Sequence, residues 1–265
     1  VAGPRHAWAA PGTYQVRLTA WNNDGVAAAT ATVAVSGNTT NYVALGGGHV
    51  APFITWSTAA TALHAAVTAA LPGNHVLVAA GTHRLATPIE INKPLTVRGV
   101  NGAATTFLSG TGSGRCITLS CLETIVFDGF TITNGATTGD DSLGGGMYSY
   151  GDHRILNCSF AGNSAGGYPA YGGGLYCHMG GTISNCQFIG NSSARGGGLY
   201  CSGNQPIMDC VACLNGAEIG GGMYLDGPDA RACLVYGNTA SSEVGGVVCT
   251  YTAQLADSAI SNNTS

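Results

Sequence analysis

Carboxylates are scarce in this chain, so the stretch where they gather beside a cation is the first place to look for chemistry. The 265 residues include 13 Asp and Glu against 9 Lys and Arg. Asp140 and Asp141 lie just before the triplet Gly144-Gly145-Gly146, and Asp152-His153-Arg154 follows shortly after it. If Asp140, Asp141 and Asp152 share a rim, they offer acids, bases or ligands for a hard cation, with Arg154 as the cationic partner. Paired carboxylates at a fixed separation are also what glycoside hydrolysis requires. Asp226 and Asp229 flank a Gly-Pro turn further along. Against all of these stands turn chemistry, because Asp beside Gly is common wherever a chain reverses. The acidic residues do not recur at equivalent repeat positions, which excludes a calcium roll built on GGxGxD.

A second candidate surface is aromatic. GGGLYC occurs at 172–177 and again at 196–201, with GGGMYS at 144–149, GGGMYL at 220–225 and GGVVC at 245–249. Met147, Leu175, Leu199, Met223 and Val247 are therefore equivalent, spaced 28, 24, 24 and 24. In extended chain, successive side chains point to opposite faces. With Leu175, Cys177, Leu199 and Cys201 inward, Tyr148, Tyr176, Tyr200 and Tyr224 form an outward stripe that ends at Val248. Such a stripe suits a sugar ring or a second solenoid as partner. It equally suits aromatic stacking along one face of a sheet.

Another register runs in parallel. ILNCSFAGN (155–163), ISNCQFIGN (183–191), IMDCVACLN (207–215), RACLVYGN (231–238) and DSAISNN (257–263) align two columns. One is Cys158, Cys186, Cys210 and Cys233, closed by Ser258; the other is Asn163, Asn191, Asn215, Asn238 and Asn263. A period near 24 residues, with short strands, is one turn of a solenoid whose coils pair ~4.8 Å apart. Equivalent residues then stack on their own copies. Asn stacks as an amide ladder and tolerates left-handed backbone. The Gly triplets give a tight corner free of side chains.

The cysteine column alternates with Phe160, Phe188, Ala212 and Val235, which places it inward. Parallel neighbours hold their Cβ atoms nearly ~5 Å apart, whereas a disulfide prefers ~3.8 Å. Buried free thiols are therefore expected at Cys158, Cys186, Cys210 and Cys233, and likewise at Cys177, Cys201 and Cys249. Cys116 and Cys121, five residues apart, are expected disulfide partners. Cys210 and Cys213 form a CxxC with no second ligand pair for zinc. His49, His64, His75, His83 and His178 show no ligand spacing, so surface or cap positions are expected and no metal site.

The elements that position these residues follow from composition and pattern. Charged residues are 8% of the chain and Gly contributes 42 positions, against about 25% and 7% in ordinary domains. One lysine, Lys93, and a net charge of −4 argue against nucleic-acid binding. No apolar run approaches the ~20 residues that span a bilayer. Ten cysteines and abundant small polar residues point to an extracellular β-rich protein.

Residues 1–36 form a first unit: Tyr14, Val16, Leu18 and Ala20 alternate with Gln15, Arg17 and Thr19, NNDG (22–25) signals a hairpin, and AAATATVAV (27–35) returns. Residues 37–41 are a polar linker. Residues 42–94 are a solenoid cap whose helix spans 58–71, capped by Thr58, packed through Leu63, Val67 and Leu71, and stopped by Pro72-Gly73. Residues 95–265 carry the repeats.

HAWAAPGTYQVRLTAWNNDGVAAATATVAV resembles the C-terminal half of a PKD domain, an immunoglobulin-like sandwich of secreted and surface proteins. Two or three strands cannot close such a core. The resemblance thus implies a fragment, or a sandwich that other strands complete. YVALGGGHVAPFITW with its following helix resembles the N-terminal cap of secreted right-handed parallel β-helix proteins, where the helix lids the apolar end. The FxGN and GGG pattern is similar to repeats of polymorphic outer-membrane proteins and large bacterial β-helix surface proteins. The implied fold class is all-β: a right-handed parallel β-helix solenoid with an N-terminal capping helix and a partial immunoglobulin-like (PKD-like) β-sandwich.

The leading functional expectation is an extracellular or bacterial cell-surface protein with a structural or adhesive role. Its partners would be copies of itself or the rest of a longer polypeptide. Both ends of the sequence look unfinished, so end-to-end assembly into a fibre is one form of this reading. The β-helix resemblance also brings in polysaccharide lyases and glycoside hydrolases of the pectate-lyase-like type. In that alternative Asp140, Asp141 and Asp152 would hold Ca2+ and Arg154 would act as base; otherwise no cofactor is expected. A third reading is a non-catalytic glycan binder that uses the tyrosine stripe.

Overall fold

The computed structural model describes residues 12–22, 25–35, 40–139 and 142–265. The chain divides into two compact units, Val1–Thr39 and Thr40–Ser265. In the first, strands Gly12–Asn22 and Gly25–Val35 pair antiparallel, with Tyr14 opposite Val33 and Leu18 opposite Ala29. Among the described residues of this unit nothing covers the ribbon at Leu18, which is 68% exposed.

The second unit is a parallel β-solenoid of about seven turns. Four sheets run along it. Sheet I stacks nine strands from Thr40–Val43 to Leu255–Ala256, and sheet II stacks eight from Gly81–Arg84 to Ala259–Ser261. Sheet III is a set of short strands that includes Ser164–Ala165 and Ser192–Arg195. Sheet IV stacks seven strands from Ile89–Ile91 to Val247–Thr250. One coil runs His153–Leu156 in sheet I, Ser159–Ala161 in II, Ser164–Ala165 in III, then a Gly triplet and Leu175–Met179 in IV.

The change of period from 28 to 24 residues has a local cause. In the longer coil sheet III is split into Ser164–Ala165 and Ala170–Tyr171. Both pair with the single strand Ser192–Arg195 of the next coil, Ser164 against Ser192 and Tyr171 against Arg195. The four extra residues loop out and register is recovered on the far side.

The interior is built from stacked copies. Phe160 lies on Phe188 with ring centroids 5.2 Å apart, and Phe127, Phe130, Leu108 and Ile132 are wholly buried. The Asn column is the polar part of this core. Asn163 N–H and Nδ2 both donate to Asn191 Oδ1, Asn191 donates likewise to Asn215, Asn215 to Asn238, and Asn238 to Asn263. Each Nδ2 also donates to a carbonyl one coil back, Asn191 to Phe160 O at 2.8 Å and Asn215 to Phe188 O at 2.9 Å. The left-handed residue at this corner is not the ladder Asn but the one before it: Gly162, Gly190, Leu214, Gly237 and Asn262 all have φ between 51° and 64°.

The two sequence registers touch each other. A Cβ on the third Gly of a triplet would meet the ladder amide of the next coil: on Gly174 it would stand 3.1 Å from Asn191 Nδ2, and on Gly198 3.0 Å from Asn215 Nδ2. The glycines leave the room that the asparagines fill.

The helix is shorter than its sequence pattern suggests. It runs Leu63–Ala69 with Ala62 at its N-cap, and it buries Leu63, Ala66 and Val67. Thr58 instead closes a tight turn with Thr55, hydroxyl to hydroxyl at 2.7 Å. Leu71 lies beyond the helix and is exposed. Strand Thr40–Val43 begins inside the stretch that reads as linker.

Two histidines are core residues. His83, within the segment read as the cap, is buried with Nε2 at 2.9 Å from Ala79 O, so it is not a surface residue. His153 Nδ1 accepts the Ile125 N–H at 3.3 Å, and Nε2 faces Tyr150 O at 3.2 Å. That pairing suits the neutral ring with its proton on Nε2. Burial pushes the His153 pKa below 6.5, with the Tyr150 carbonyl and Asp152 pulling partly back. As pH falls through about 6.5 the unfolded chain takes up this proton while the folded chain does not, so stability declines until the lowered folded value is reached. Urea titrations should therefore show lower stability at about pH 5 than at pH 7, with part of the loss coming from this group. His153→Gln should remove that share of the difference; an unchanged pH dependence would rule the group out.

Candidate functional site

The tyrosine stripe is a stacked ladder on the outer face of sheet IV. Tyr148, Tyr176, Tyr200 and Tyr224 pair in register and Val248 ends the row. Successive centroids lie 5.5, 5.4 and 5.0 Å apart, with interplanar angles of 4°, 12° and 10°. Each ring face is covered by the next ring. What the ladder offers outward is ring edges and phenol oxygens, not flat platforms.

The residue just before a Gly triplet adds to this ladder. Tyr171 packs on Tyr200 at 4.8 Å. The Arg195 guanidinium lies 5.8 Å from both the Tyr171 and the Tyr224 rings. Side chains of sheets III and IV both face outward here and still touch, so the Gly corner between them is re-entrant. Arg115 covers Tyr148 at 5.0 Å. Its Nε donates to Leu143 O and Gly144 O at 3.0 Å each. Desolvation lowers the Arg115 pKa and raises those of Tyr148, Tyr176 and Tyr200. The corner is thus a partly dry strip of neutral phenols bordered by two guanidinium groups. Tyr171, Arg115 and Arg195 escaped the sequence reading. For Tyr171 and Arg195, position immediately ahead of GGG is the signal that finds them.

A polar row runs two residues further along the same strands: Tyr150, His178, Ser202, Asp226 and Thr250. His178 Nδ1 and Ser202 Oγ are 2.6 Å apart, and Thr250 Oγ1 donates to Asp226 Oδ1 at 2.6 Å.

Of the acidic candidates, the structure describes Asp152, Asp226 and Asp229. Asp140 and Asp141 lie outside the described residues. Asp152 and Arg154 are exposed neighbours at the start of a sheet I strand, and alternation places buried His153 between them. Among the described residues the salt bridge seen is Arg98 with Asp128 at 3.3 Å. Asp128 also accepts from Asn157 at 2.7 Å. No group of three His, Cys, Asp or Glu side chains able to hold a metal occurs among the described residues. A groove of about 530 Å³ over Arg84, Ser109, Gly110 and Asn134 has no carboxylate in its lining. No helix among the described residues is long and apolar enough to cross a membrane.

The cysteines depart from expectation in three places: the pair Cys177 and Cys201, the pair Cys116 and Cys121, and Cys249, which is exposed where the pattern predicts a buried thiol because it lies on the last strand of sheet IV with no further coil over it among the described residues. Cys177 and Cys201 are a disulfide, with Cα atoms 4.8 Å apart. That separation falls within the range a disulfide accepts, so rotation of the side chains overcomes the parallel Cβ spacing. Gln205 Nε2 lies against both sulfurs, 2.6 Å from Cys201 Sγ. Cys116 and Cys121 are not bonded to each other. They bracket the strand Ile117–Leu119, whose extended backbone holds them apart. Cys116 donates to Thr133 O, and burial pushes its pKa up to about 11. Cys158, Cys186, Cys210 and Cys233 are free and buried, and Cys249 is free and exposed.

A family model for the PKD domain matches residues 2–35. No curated protein matches the sequence significantly. Among solved structures, the chain is similar to the pectin methylesterase of Aspergillus niger, with 9% identity, a TM-score of 0.51 and coverage of 86% of this chain and 87% of that one. It is similar to pectin methylesterase PemA of Erwinia chrysanthemi at 13% identity and a TM-score of 0.48, covering 76% of this chain and 66% of that one. ORF18 of Geobacillus virus E2 aligns at 15% identity with a TM-score of 0.45, over 67% of this chain and 46% of that one. The chain therefore combines a PKD-matching N-terminus with a right-handed parallel β-helix. At such identities the likeness speaks for the fold alone.

Proposed function

We propose that the chain is a non-catalytic extracellular β-helix module with a structural or adhesive role. The observation that carries this reading is the tyrosine ladder. The most conspicuous aromatic surface has its ring faces spent on coil-to-coil stacking, with Arg115 and Arg195 over its flanks. Asn and Tyr columns both serve to lock one coil on the next, and a rigid rod is what results. An extracellular setting is supported by the PKD match and by the inter-coil disulfide.

Two measurements test it. Antibody labelling of intact source cells, before and after protease shaving, should find the module at the surface. Purified chain should neither release methanol from pectin nor form unsaturated uronates from polygalacturonate, with or without Ca2+. Turnover that disappears in both Asp152→Ala and Arg154→Ala would overturn the proposal in favour of an enzyme.

The ladder itself gives a stability readout. Tyr200→Ala removes contacts with Tyr176, Tyr224 and Tyr171 and should cost about 2 kcal/mol, at roughly 0.5–1.5 kcal/mol per aromatic pair. A variant that keeps full stability yet loses affinity for a soluble polysaccharide would assign the stripe to glycan binding instead.

A further inference from the structure

The buried cysteine column is more than a set of small apolar fillers. Each of its four thiols takes the same pose, donating to the carbonyl two residues earlier: Cys158 to Leu156 at 3.1 Å, Cys186 to Ser184 at 3.4 Å, Cys210 to Met208 at 3.2 Å and Cys233 to Arg231 at 3.3 Å. Identical poses bring the sulfurs into line. The residues that follow these cysteines pair in register, Ser159 with Gln187, Gln187 with Val211 and Val211 with Leu234, so Cys158, Cys186, Cys210 and Cys233 succeed one another on adjacent coils.

The backbone holds this register. Gln187 N–H donates to Cys158 O, Val211 N–H to Cys186 O, and Leu234 N–H to Cys210 O, at 2.8 to 2.9 Å. Each cysteine is thereby fixed to the one above it across a single coil step. A coil step of this solenoid already carries the Cys177–Cys201 disulfide. The column is also closed at both ends. Ser159 N–H donates to Phe130 O, so Phe130 takes the place below Cys158, and Ser258 takes the place above Cys233.

We propose that Cys158–Cys186 and Cys210–Cys233 form two inter-coil disulfides when the chain folds in the presence of a disulfide oxidant. The pairing follows from counting along a line. Bonding the two outer pairs uses all four sulfurs, whereas a central Cys186–Cys210 bond strands Cys158 and Cys233. A central bond that forms first is resolved by exchange: the Cys158 thiolate attacks Cys186 sulfur, and Cys210 leaves as thiolate. Each net step converts two thiols and one small-molecule disulfide, such as glutathione disulfide, into one protein disulfide and two small-molecule thiols. Oxidation strands no buried acceptor. The carbonyls of Leu156, Ser184, Met208 and Arg231 each already accept a backbone N–H, from Gly129, Asn157, Asn185 and Asp209. Because the finished column is buried, the bonds form as coils dock rather than afterwards.

The test is differential alkylation of the full chain, produced in an oxidising compartment with glutathione disulfide present. Free thiols are blocked in denaturant with a first reagent, disulfides are reduced, and the released thiols take a second. Cys177 and Cys201 serve as the internal control for oxidation. Peptides joining Cys158 to Cys186 and Cys210 to Cys233 are expected before reduction, with all four residues carrying the second label. First label on all four, in a sample where Cys177 and Cys201 carry the second, overturns the proposal. So does a dominant Cys186–Cys210 peptide. Cys186→Ser should free Cys158 alone and leave Cys210–Cys233 intact; the wild-type map decides the matter even if that variant does not fold.

Discussion

Asn191→Ala should cost about 4 kcal/mol and split unfolding into two steps. Asn191 is 1% exposed. Its Oδ1 accepts the backbone N–H of Asn163 at 2.9 Å, and its Nδ2 donates to Phe160 O at 2.8 Å. Alanine leaves both groups buried without those partners, at roughly 1–3 kcal/mol each. The truncation adds a small void in a close-packed column. The damage is local, because each coil contacts mainly its neighbours. The coils before and after Asn191 should therefore lose coupling and melt at different urea concentrations. Hydrogen exchange should show lost protection first at Asn163 and around Phe160. Asn263→Ala is the control: that residue is only partly buried, so water replaces its hydrogen bonds and the cost should be well under half. Equal costs at the two positions would mean that water can replace the ladder's hydrogen bonds at Asn191 as well, and that burial of the network adds nothing.

What the sequence made legible was whatever repeats. Stacking forces equivalent positions to accept their own copies, so the Tyr, Cys and Asn columns and the coil period could be read from spacing. The break from 28 to 24 residues was visible too, but not its meaning. Nothing in the sequence says that Gly166–Pro169 loops out while Ala170–Tyr171 rejoins the strand Ser192–Arg195. Features that occur once were read least well. The Cys177–Cys201 bond depends on side-chain rotation, which strand spacing does not determine. The short helix depends on where the chain leaves the cap, and there the threonine pair Thr55 and Thr58 competes for the capping role. The Tyr-Arg corner was half legible: strand alternation gives the tyrosines, but the re-entrant angle that brings in Arg195 belongs to the Gly corner.

That corner sets the second large effect. Gly198→Ala should destabilise by at least ~3 kcal/mol, at the upper end of the overpacking range. A Cβ on Gly198 would stand 2.6 Å from Gly222 O in the next coil, 2.9 Å from Phe188 Cβ and 3.0 Å from Asn215 Nδ2. The first of these is backbone and takes part in coil pairing, since it accepts the Gly198 and Leu199 N–H groups at 3.1 and 3.2 Å. The second belongs to the stacked Phe160–Phe188 pair and the third to the Asn ladder. None is the loose end of a flexible side chain, so none can swing away. To admit one methyl group the two coils must separate, and separation breaks pairing in sheet IV, phenylalanine stacking and the amide ladder together. Gly216→Ala isolates this cause. It places alanine in the sheet III strand Gly216–Ile219, where its Cβ would meet only Thr239 Oγ1 at 3.6 Å, an ordinary contact. Thermal melts of the two variants, side by side, should show a large loss for Gly198→Ala and nearly none for Gly216→Ala. A tolerated Gly198→Ala would show that the coils can part without cost, and the mutual fit of the GGG and Asn registers would then not explain why the two recur together.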